Sequence, residues 1–227
     1  MHIADKPAAP VARIRSVIER LMAEGSMIAK ADGSRRDVRG VSITAGEGAA
    51  LARWVLREKA TRTIEIGLAY GVSALHICRA LLESGDPDAR HVVLDPFQSG
   101  FANCGLQVLE EAGVGSLVEF HEEMSQIVLP KFLQEQRRFD FAFLDGNHRF
   151  DSVFVDLFYL GRLLRKGGII LLDDYQLPGI RRAVSFYVKN LNWRLEEQST
   201  SDEDHHWIAV RTAEADDNRD FRYFVDF

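Results

Sequence analysis

Thr63-Ile-Glu-Ile-Gly-Leu-Ala-Tyr-Gly-Val-Ser-Ala-Leu-His-Ile-Cys78 is the stretch whose reading decides the fold. It opens with β-branched residues (Thr63, Ile64, Ile66), breaks at Gly67 and Gly71, and resumes as an apolar pattern on Leu75, Ile77, Leu81 and Leu82 with helical spacing. The stretch therefore predicts a strand, a glycine turn and a helix. Such a turn brings backbone amides and a helix N-terminus close to a ligand, because glycine lets the chain bend and removes the side chain that would block approach. A dinucleotide site asks for G-x-G-x-x-G at this place. Here the spacing is Glu65-x-Gly67-x-x-x-Gly71, with an acid inside the strand end. A carboxylate there repels a pyrophosphate and attracts a cation.

Working outward, 227 residues suffice for one well-packed α/β domain, and a hydrophobic content of 46% with 27% charged residues is ordinary for a globular protein. A net charge of -6 gives no basic footprint for nucleic acid, which makes a small molecule the expected partner. No apolar run approaches the ~18 residues of a membrane span, and the N-terminus lacks the apolar core of a signal peptide, so the expected setting is the cytoplasm. Cys78 and Cys104 each lie in an apolar-periodic segment and read as buried small hydrophobes.

Upstream, Val11 to Glu24 has the spacing of an amphipathic helix, and Lys30 to Gly40, with Arg35, Arg36 and Arg39, reads as a polar loop. Ser42 to Gly48 leads into a second helix through Leu51, Trp54 and Val55, with Thr44 and Glu47 spaced as a capping box. Downstream, His91-Val-Val-Leu-Asp-Pro96 is a short buried strand ending in an acid 24 residues after Gly71. In a doubly wound sheet Asp95 then lies beside the glycine turn, where it can accept from ribose hydroxyls, and Phe97 and Gln98 follow where a base or ribose edge would pass. Ala102 to Ala112 is predicted helical, Ser116 to Phe120 a strand, and Glu122-Glu-Met-Ser-Gln126 the opening of another helix with Ser125 as its cap.

Phe139-Asp-Phe-Ala-Phe-Leu-Asp-Gly-Asn-His148 is a buried strand running into Asp145 and His148. After a helix over Ser152 to Leu164, Lys166-Gly-Gly-Ile-Ile-Leu-Leu-Asp-Asp-Tyr175 is another, running into Asp173 and Asp174. Strands joined by a crossover helix are parallel, so their ends bring Asp145, Asp173 and Asp174 to the rim that holds the glycine turn. Three converging carboxylates repel unless protons or a cation intervene, and oxygen ligands suit Mg²⁺, Mn²⁺ or Ca²⁺. The same acids could instead serve as helix caps and substrate acceptors. Pro178 to Leu191 reads as a helix, and Trp193 to Gln198 with His206 to Arg211 as an antiparallel edge pair. The acidic link Ser199-Thr-Ser-Asp-Glu-Asp-His205 between them reads as a solvated turn, and the aromatic tail Asp220 to Phe227 as packed on the body or on a second subunit.

Taken together, Glu65-x-Gly67-x-x-x-Gly71, Thr44-x-x-Glu47-Gly48, Leu94-Asp-Pro-Phe97, Asp145-Gly-x-His148 and Gly167-Gly-x-x-x-x-Asp173-Asp-Tyr175 resemble the motifs of class I S-adenosylmethionine-dependent methyltransferases. The phrasing is most similar to the divalent-cation-dependent O-methyltransferases of the macrolide and aminocoumarin sugar type, related to the catechol and caffeoyl-coenzyme A enzymes. The resemblance covers roughly residues 41–212. It leaves 1–40 as an N-terminal helix and loop on the substrate side, and 213–227 as a tail.

It implies a single-domain, Rossmann-like α/β sheet of seven strands, the last inserted antiparallel, with helices on both faces. It implies cofactor contacts from Glu65, Gly67, Tyr70, Gly71, Ser73, Asp95, Phe97, Met124, Ser125 and Asp145, with Met124 and Ser125 beside the adenine. Asp145, Asp173 and Asp174 would hold Mg²⁺, Mn²⁺ or Ca²⁺, and Asp145 or His148 would take the proton from a hydroxylated small-molecule acceptor. A homodimer is a further expectation. Open alternatives are a metal-free methyltransferase acting on nitrogen or carboxylate, a related hydroxylase-like chemistry, and a non-catalytic cofactor-binding module.

Overall fold

Alternation of β-branched strands with amphipathic helices builds a mixed seven-stranded sheet in the computed structural model, which describes residues 8–199 and 206–227. The elements are α1 (Ala8–Glu24), β1 (Ser26–Ile28), β2 (Arg35–Asp37), α2 (Ala45–Arg57), β3 (Arg62–Ile66), α3 (Val72–Ser84), β4 (Arg90–Leu94), α4 (Cys104–Ala112) and β5 (Val118–His121), then α5 (Ser125–Gln134), β6 (Phe139–Leu144), α6 (Phe150–Leu163), β7 (Leu164–Leu172), α7 (Pro178–Leu191), β8 (Arg194–Gln198) and β9 (Ile208–Arg211). The sheet order is β5-β4-β3-β6-β7-β9-β8. The first five of these strands are parallel, and β9 enters antiparallel to both β7 and β8.

The central strands are buried on both faces, so their side chains divide between two cores. Phe141, Phe143, Ile169 and Leu171 pack on the side of α1 to α4, whereas Ile64, Ala142, Leu144, Ile170 and Leu172 pack on the side of α5 to α7. The two thiols, Cys78 and Cys104, are free and buried in the first core.

Register is what positions the site. Ile66 pairs with Leu94 on one side and Leu144 on the other, and Leu144 pairs with Leu172. One residue further along each strand therefore stand Asp95, Gly67, Asp145 and Asp173 in a single row. The ladder still reaches them: Gly67 N donates to Leu94 O, Asp145 N to Ile66 O and Asp173 N to Leu144 O, at 2.9, 2.9 and 3.2 Å.

Several local expectations are corrected. Residues 30–40 are not all loop, since β1 and β2 pair as a short antiparallel ribbon whose turn is held by Asp32 accepting from Ser34 N, Ser34 Oγ and Arg36. The helix expected from Ala102 begins at Cys104, because Ala102 and Asn103 have φ of 51° and 57° and cannot continue it. At α5 the capping position falls on Met124, leaving Ser125 as the first helical residue. The capping box is half made: Thr44 Oγ1 accepts from Glu47 N, but the Glu47 carboxyl points elsewhere.

The tail folds back on α7, where Asn190 exchanges two hydrogen bonds with the Val225 backbone and Phe186 meets the rings of Phe224 and Phe227. Most of the acidic link at 199–205 lies outside the described residues. Among the described residues no helix is long and apolar enough to cross a membrane.

Candidate active site

At the C-terminal rim of β3, β4, β6 and β7 opens a cleft of about 390 Å³, lined by Gly67, Ala69, Asp95, Phe97, Met124, Ser125, Asp145, His148, Asp173 and Asp174. That volume is within the range of small-ligand pockets. Gly67 makes the floor possible. Its φ is +96°, and a Cβ there would stand 2.0 Å from the Asp145 carbonyl oxygen. Only glycine lets β3 end this close to its neighbour.

Asp95, 4% exposed, ties down the loop that follows. Its Oδ2 accepts from Leu68 N, Ala69 N and Gln98 Nε2 at 3.0, 3.0 and 2.8 Å, and its Oδ1 accepts from Phe97 N at 2.7 Å. Oδ2 thus takes three donors and Oδ1 one, which leaves Oδ1 the less occupied oxygen. Phe97, 63% exposed, and Met124 present apolar surface beyond it.

On the other side of Gly67 the carboxylates gather. His148 sits between two of them, with Nε2 3.3 Å from Asp145 Oδ1 and Nδ1 3.1 Å from Asp174 Oδ2. Asp145, His148 and Asp174 each offer one ligand atom, and these atoms lie within 4.8 Å of one another. Asp173 stands beside this group rather than in it, its Oδ1 accepting from Asp174 N at 2.7 Å. Asp174 has φ of 53°, a left-handed backbone that Asp tolerates better than most residues. Gln176 Nε2 donates to Asp174 Oδ1 at 2.6 Å and holds that carboxylate in place.

Burial and like charge govern protonation here. Burial pushes Asp145 up to about 7, opposed by the hydrogen bond from His148 and reinforced by Asp173 and Asp174. His148 is raised by its bond to Asp145, against burial, with Asp174 adding to the rise. A fourth carboxyl completes the cluster. Glu47, on the first turn of α2, is fully buried, and burial together with Asp173, Asp145 and Asp174 pushes it up to about 10, a hydrogen bond with Asp173 adding to the rise. Four carboxyls, of Asp145, Asp173, Asp174 and Glu47, and one imidazole make a donor set that hard divalent cations fit.

Of the residues singled out from sequence, Gly67, Asp95, Phe97, Met124, Ser125, Asp145, His148, Asp173 and Asp174 share this cleft. Glu65, Tyr70, Gly71 and Ser73 do not line it. Glu65 is fully buried between β3 and α3, bonded to Ser73 and His91, and Tyr70 meets Phe101 edge-on at 5.2 Å, 7% exposed. Gly40 and Phe101 also line the cleft. Arg35, Arg36 and Arg39 are bonded to Ser26, to Asp32 and Ser34, and to Ala23 O. From sequence Glu47 is expected in a capping box and a family motif, not in this acidic cluster. Glu47's signal was the apolar stripe it begins, Glu47-Leu51-Trp54-Val55, at helical spacing.

Residues 64–175 match the sequence profile of a methyltransferase domain family. Over 116 residues the chain is 34% identical to tapetum-specific methyltransferase 1 of Arabidopsis thaliana, covering 51% of this chain and 47% of that one. Over 137 residues it is 30% identical to a caffeoyl-CoA O-methyltransferase of Populus kitakamiensis, covering 60% and 55%. The chain thus spans about half the length of the relatives it matches. Among solved structures, the fold superposes on the O-methyltransferase TomG of Streptomyces achromogenes in complex with SAM, with a TM-score of 0.66, 20% identity and 90% of both chains covered.

Proposed function

We propose, from the premise that residues 64–175 belong to the methyltransferase domain family, that this protein moves a methyl group from S-adenosylmethionine to a hydroxyl of a small molecule, assisted by a divalent cation. The observation that carries the proposal is the rim row of Asp95, Gly67, Asp145 and Asp173, which sets a hydrogen-bonding acid on one side of an open glycine and, on the other, a cluster of Asp145, His148 and Asp174 spaced to hold a cation. The O-methyltransferase names of the poplar relative and of TomG support the acceptor atom.

In this reading Asp95 Oδ1 accepts from the ribose hydroxyls, and Phe97 and Met124 cover the adenine. The amino-acid half of the cofactor passes over Gly67 toward the positive end of α3. Asp145, Asp174 and His148 hold the cation, Mg²⁺ being the first candidate, with Asp173 braced behind Asp174. The cofactor supplies an electrophilic methyl carbon, and the cation lowers the pKa of an acceptor hydroxyl and fixes its orientation. His148 Nε2 or an Asp145 oxygen takes the hydroxyl proton, burial raising Asp145 to about 7 and the bond to Asp145 raising His148 above its usual value. Two buried free thiols suit a reducing compartment, so the proposal sets the enzyme in the cytoplasm.

Calorimetric titration of S-adenosylhomocysteine into the purified protein, with and without Mg²⁺, tests this. Micromolar binding that Asp95→Ala abolishes is the expected result. No heat in either condition removes the cofactor from the site, and turnover that survives EDTA removes the cation.

A further inference from the structure

Glu65 is a carboxylate inside a strand, and nothing in the cleft reaches it. Its two oxygens are instead the centre of a buried chain running across three elements. Ser73 Oγ donates to Glu65 Oε1, His91 Nε2 donates to Glu65 Oε2 at 2.8 Å, and Thr63 Oγ1 bonds His91 Nδ1 at 2.9 Å. Thr63, Glu65 and His91 are fully buried and Ser73 is 6% exposed. A buried carboxylate is tolerated only when such partners replace its water. For Glu65 to turn to a ligand, both bonds would have to break.

What the chain joins explains its place. Thr63 and Glu65 are on β3, His91 is their neighbour on β4, and Ser73 is the second residue of α3. The cap of α3 is Gly71, left-handed at φ 79°, with no side-chain hydrogen bond to the first turn. An N-terminus without that acceptor has lost one of its usual restraints. The Ser73–Glu65 bond supplies another, fastening the first turn of α3 to the sheet. The glycine loop between Gly67 and Gly71 is then held at two points: Asp95 grips Leu68 N and Ala69 N, and Glu65 grips the helix that follows.

We infer that His91, acting through Glu65 and Ser73, is a positioning residue for the amino-acid half of the sulfonium cofactor. It fixes where the glycine loop and the first turn of α3 lie while touching no ligand. The inference rests on the cofactor reading of the cleft and deepens it, because it divides the restraints on the two halves of the ligand. The adenosine half depends on Asp95, Phe97 and Met124. The amino-acid half depends on the loop that the buried chain anchors.

That division sets the test. S-adenosylhomocysteine and adenosine are each titrated calorimetrically into wild type, His91→Leu, His91→Gln and Ser73→Ala, with unfolding temperatures recorded alongside. His91→Leu strips one partner from a charged group, and the expected weakening for S-adenosylhomocysteine is about tenfold to a hundredfold. Adenosine is expected to bind within about threefold of wild type, on the scatter usual for uncoupled sites. The glutamine amide can still donate to Glu65, so His91→Gln is expected to recover most of the lost affinity. Ser73→Ala cuts the chain at its loop end with a small change of volume, so it carries the test if the leucine variant fails to fold. Equal losses for both ligands would mean a general structural role and overturn the inference, as would unchanged S-adenosylhomocysteine binding in Ser73→Ala. A wild type that binds no S-adenosylhomocysteine fails differently, since it sinks the cofactor reading itself.

Discussion

Replacing Glu47 by glutamine should stabilise the metal-free protein, and should do so only above acidic pH. The carboxyl is pushed from its usual 4.5 to about 10 by burial and by Asp173, Asp145 and Asp174. Between those two values the folded protein holds a proton that the unfolded chain releases, so stability falls as pH rises from 4.5 upward. At pH 8 the gap is about 3.5 pH units, and at about 1.36 kcal/mol per unit the cost is bounded at about 5 kcal/mol. At pH 5 the same arithmetic leaves less than about 1 kcal/mol. Proton sharing with the neighbouring acids relieves part of the bound, which places the expected gain for Glu47→Gln at pH 8 at about 2 to 3 kcal/mol. For a protein of this size that is a rise in Tm of about 5 to 10 °C. Thermal unfolding followed by circular dichroism in EDTA, at pH 5 and pH 8, measures it. A stability difference that is the same at both pH values, or a glutamine variant less stable at pH 8, would refute the reasoning.

Three other perturbations probe the rest of the rim. Gly67→Ala puts a Cβ 2.0 Å from the Asp145 carbonyl at φ +96°, so it should lower Tm by about 5 to 10 °C and remove S-adenosylhomocysteine binding. An alanine protein with wild-type melting would mean that the strand ends are not this close. Asp174→Ala should weaken Mn²⁺ binding, read by electron paramagnetic resonance, by at least about tenfold while leaving Tm level or higher, because a like charge is removed with the ligand. Undiminished Mn²⁺ binding would take Asp174 out of the cation site. His148 is raised by its bond to Asp145, so the stability it contributes is complete below its unfolded value of 6.5 and disappears as pH climbs through the folded value. His148→Ala should accordingly cost about 1 kcal/mol or less at pH 6, the ring being partly exposed, and nothing measurable at pH 9. Urea titrations at the two pH values decide this, and a larger deficit at pH 9 contradicts the assigned direction.

The sheet and its acidic rim were legible because parallel strands of similar length end together, so an acid one step past each apolar run had to meet its neighbours. Asp95 follows Leu94, Asp145 follows Leu144 and Asp173 follows Leu172, and the registers align all three with Gly67. Side-chain direction was harder to read. Thr44 and Glu47 satisfied a capping pattern, and the backbone half of that pattern is present, but the pattern leaves the carboxyl unplaced once a stronger environment competes for it. The three arginines of 35–39 read as part of a polar loop because the ribbon beside them is too short to leave a periodic trace.

Glu65 differs from these acids in its place along the strand. It lies one residue before the last paired position of β3, whereas Asp95, Asp145 and Asp173 lie one residue after the last paired positions of theirs. A side chain within a ladder buried on both faces must point into one layer or the other, and alternation with Ile64 and Ile66, which face the α5 to α7 core, sends Glu65 toward α3. There a carboxylate needs partners of its own, and a hydroxyl on the first turn of the next helix and an imidazole on the next strand stand at the two places that can supply them. An acid inside the strand is therefore tied to α3 and β4, and an acid beyond the strand lines the cleft.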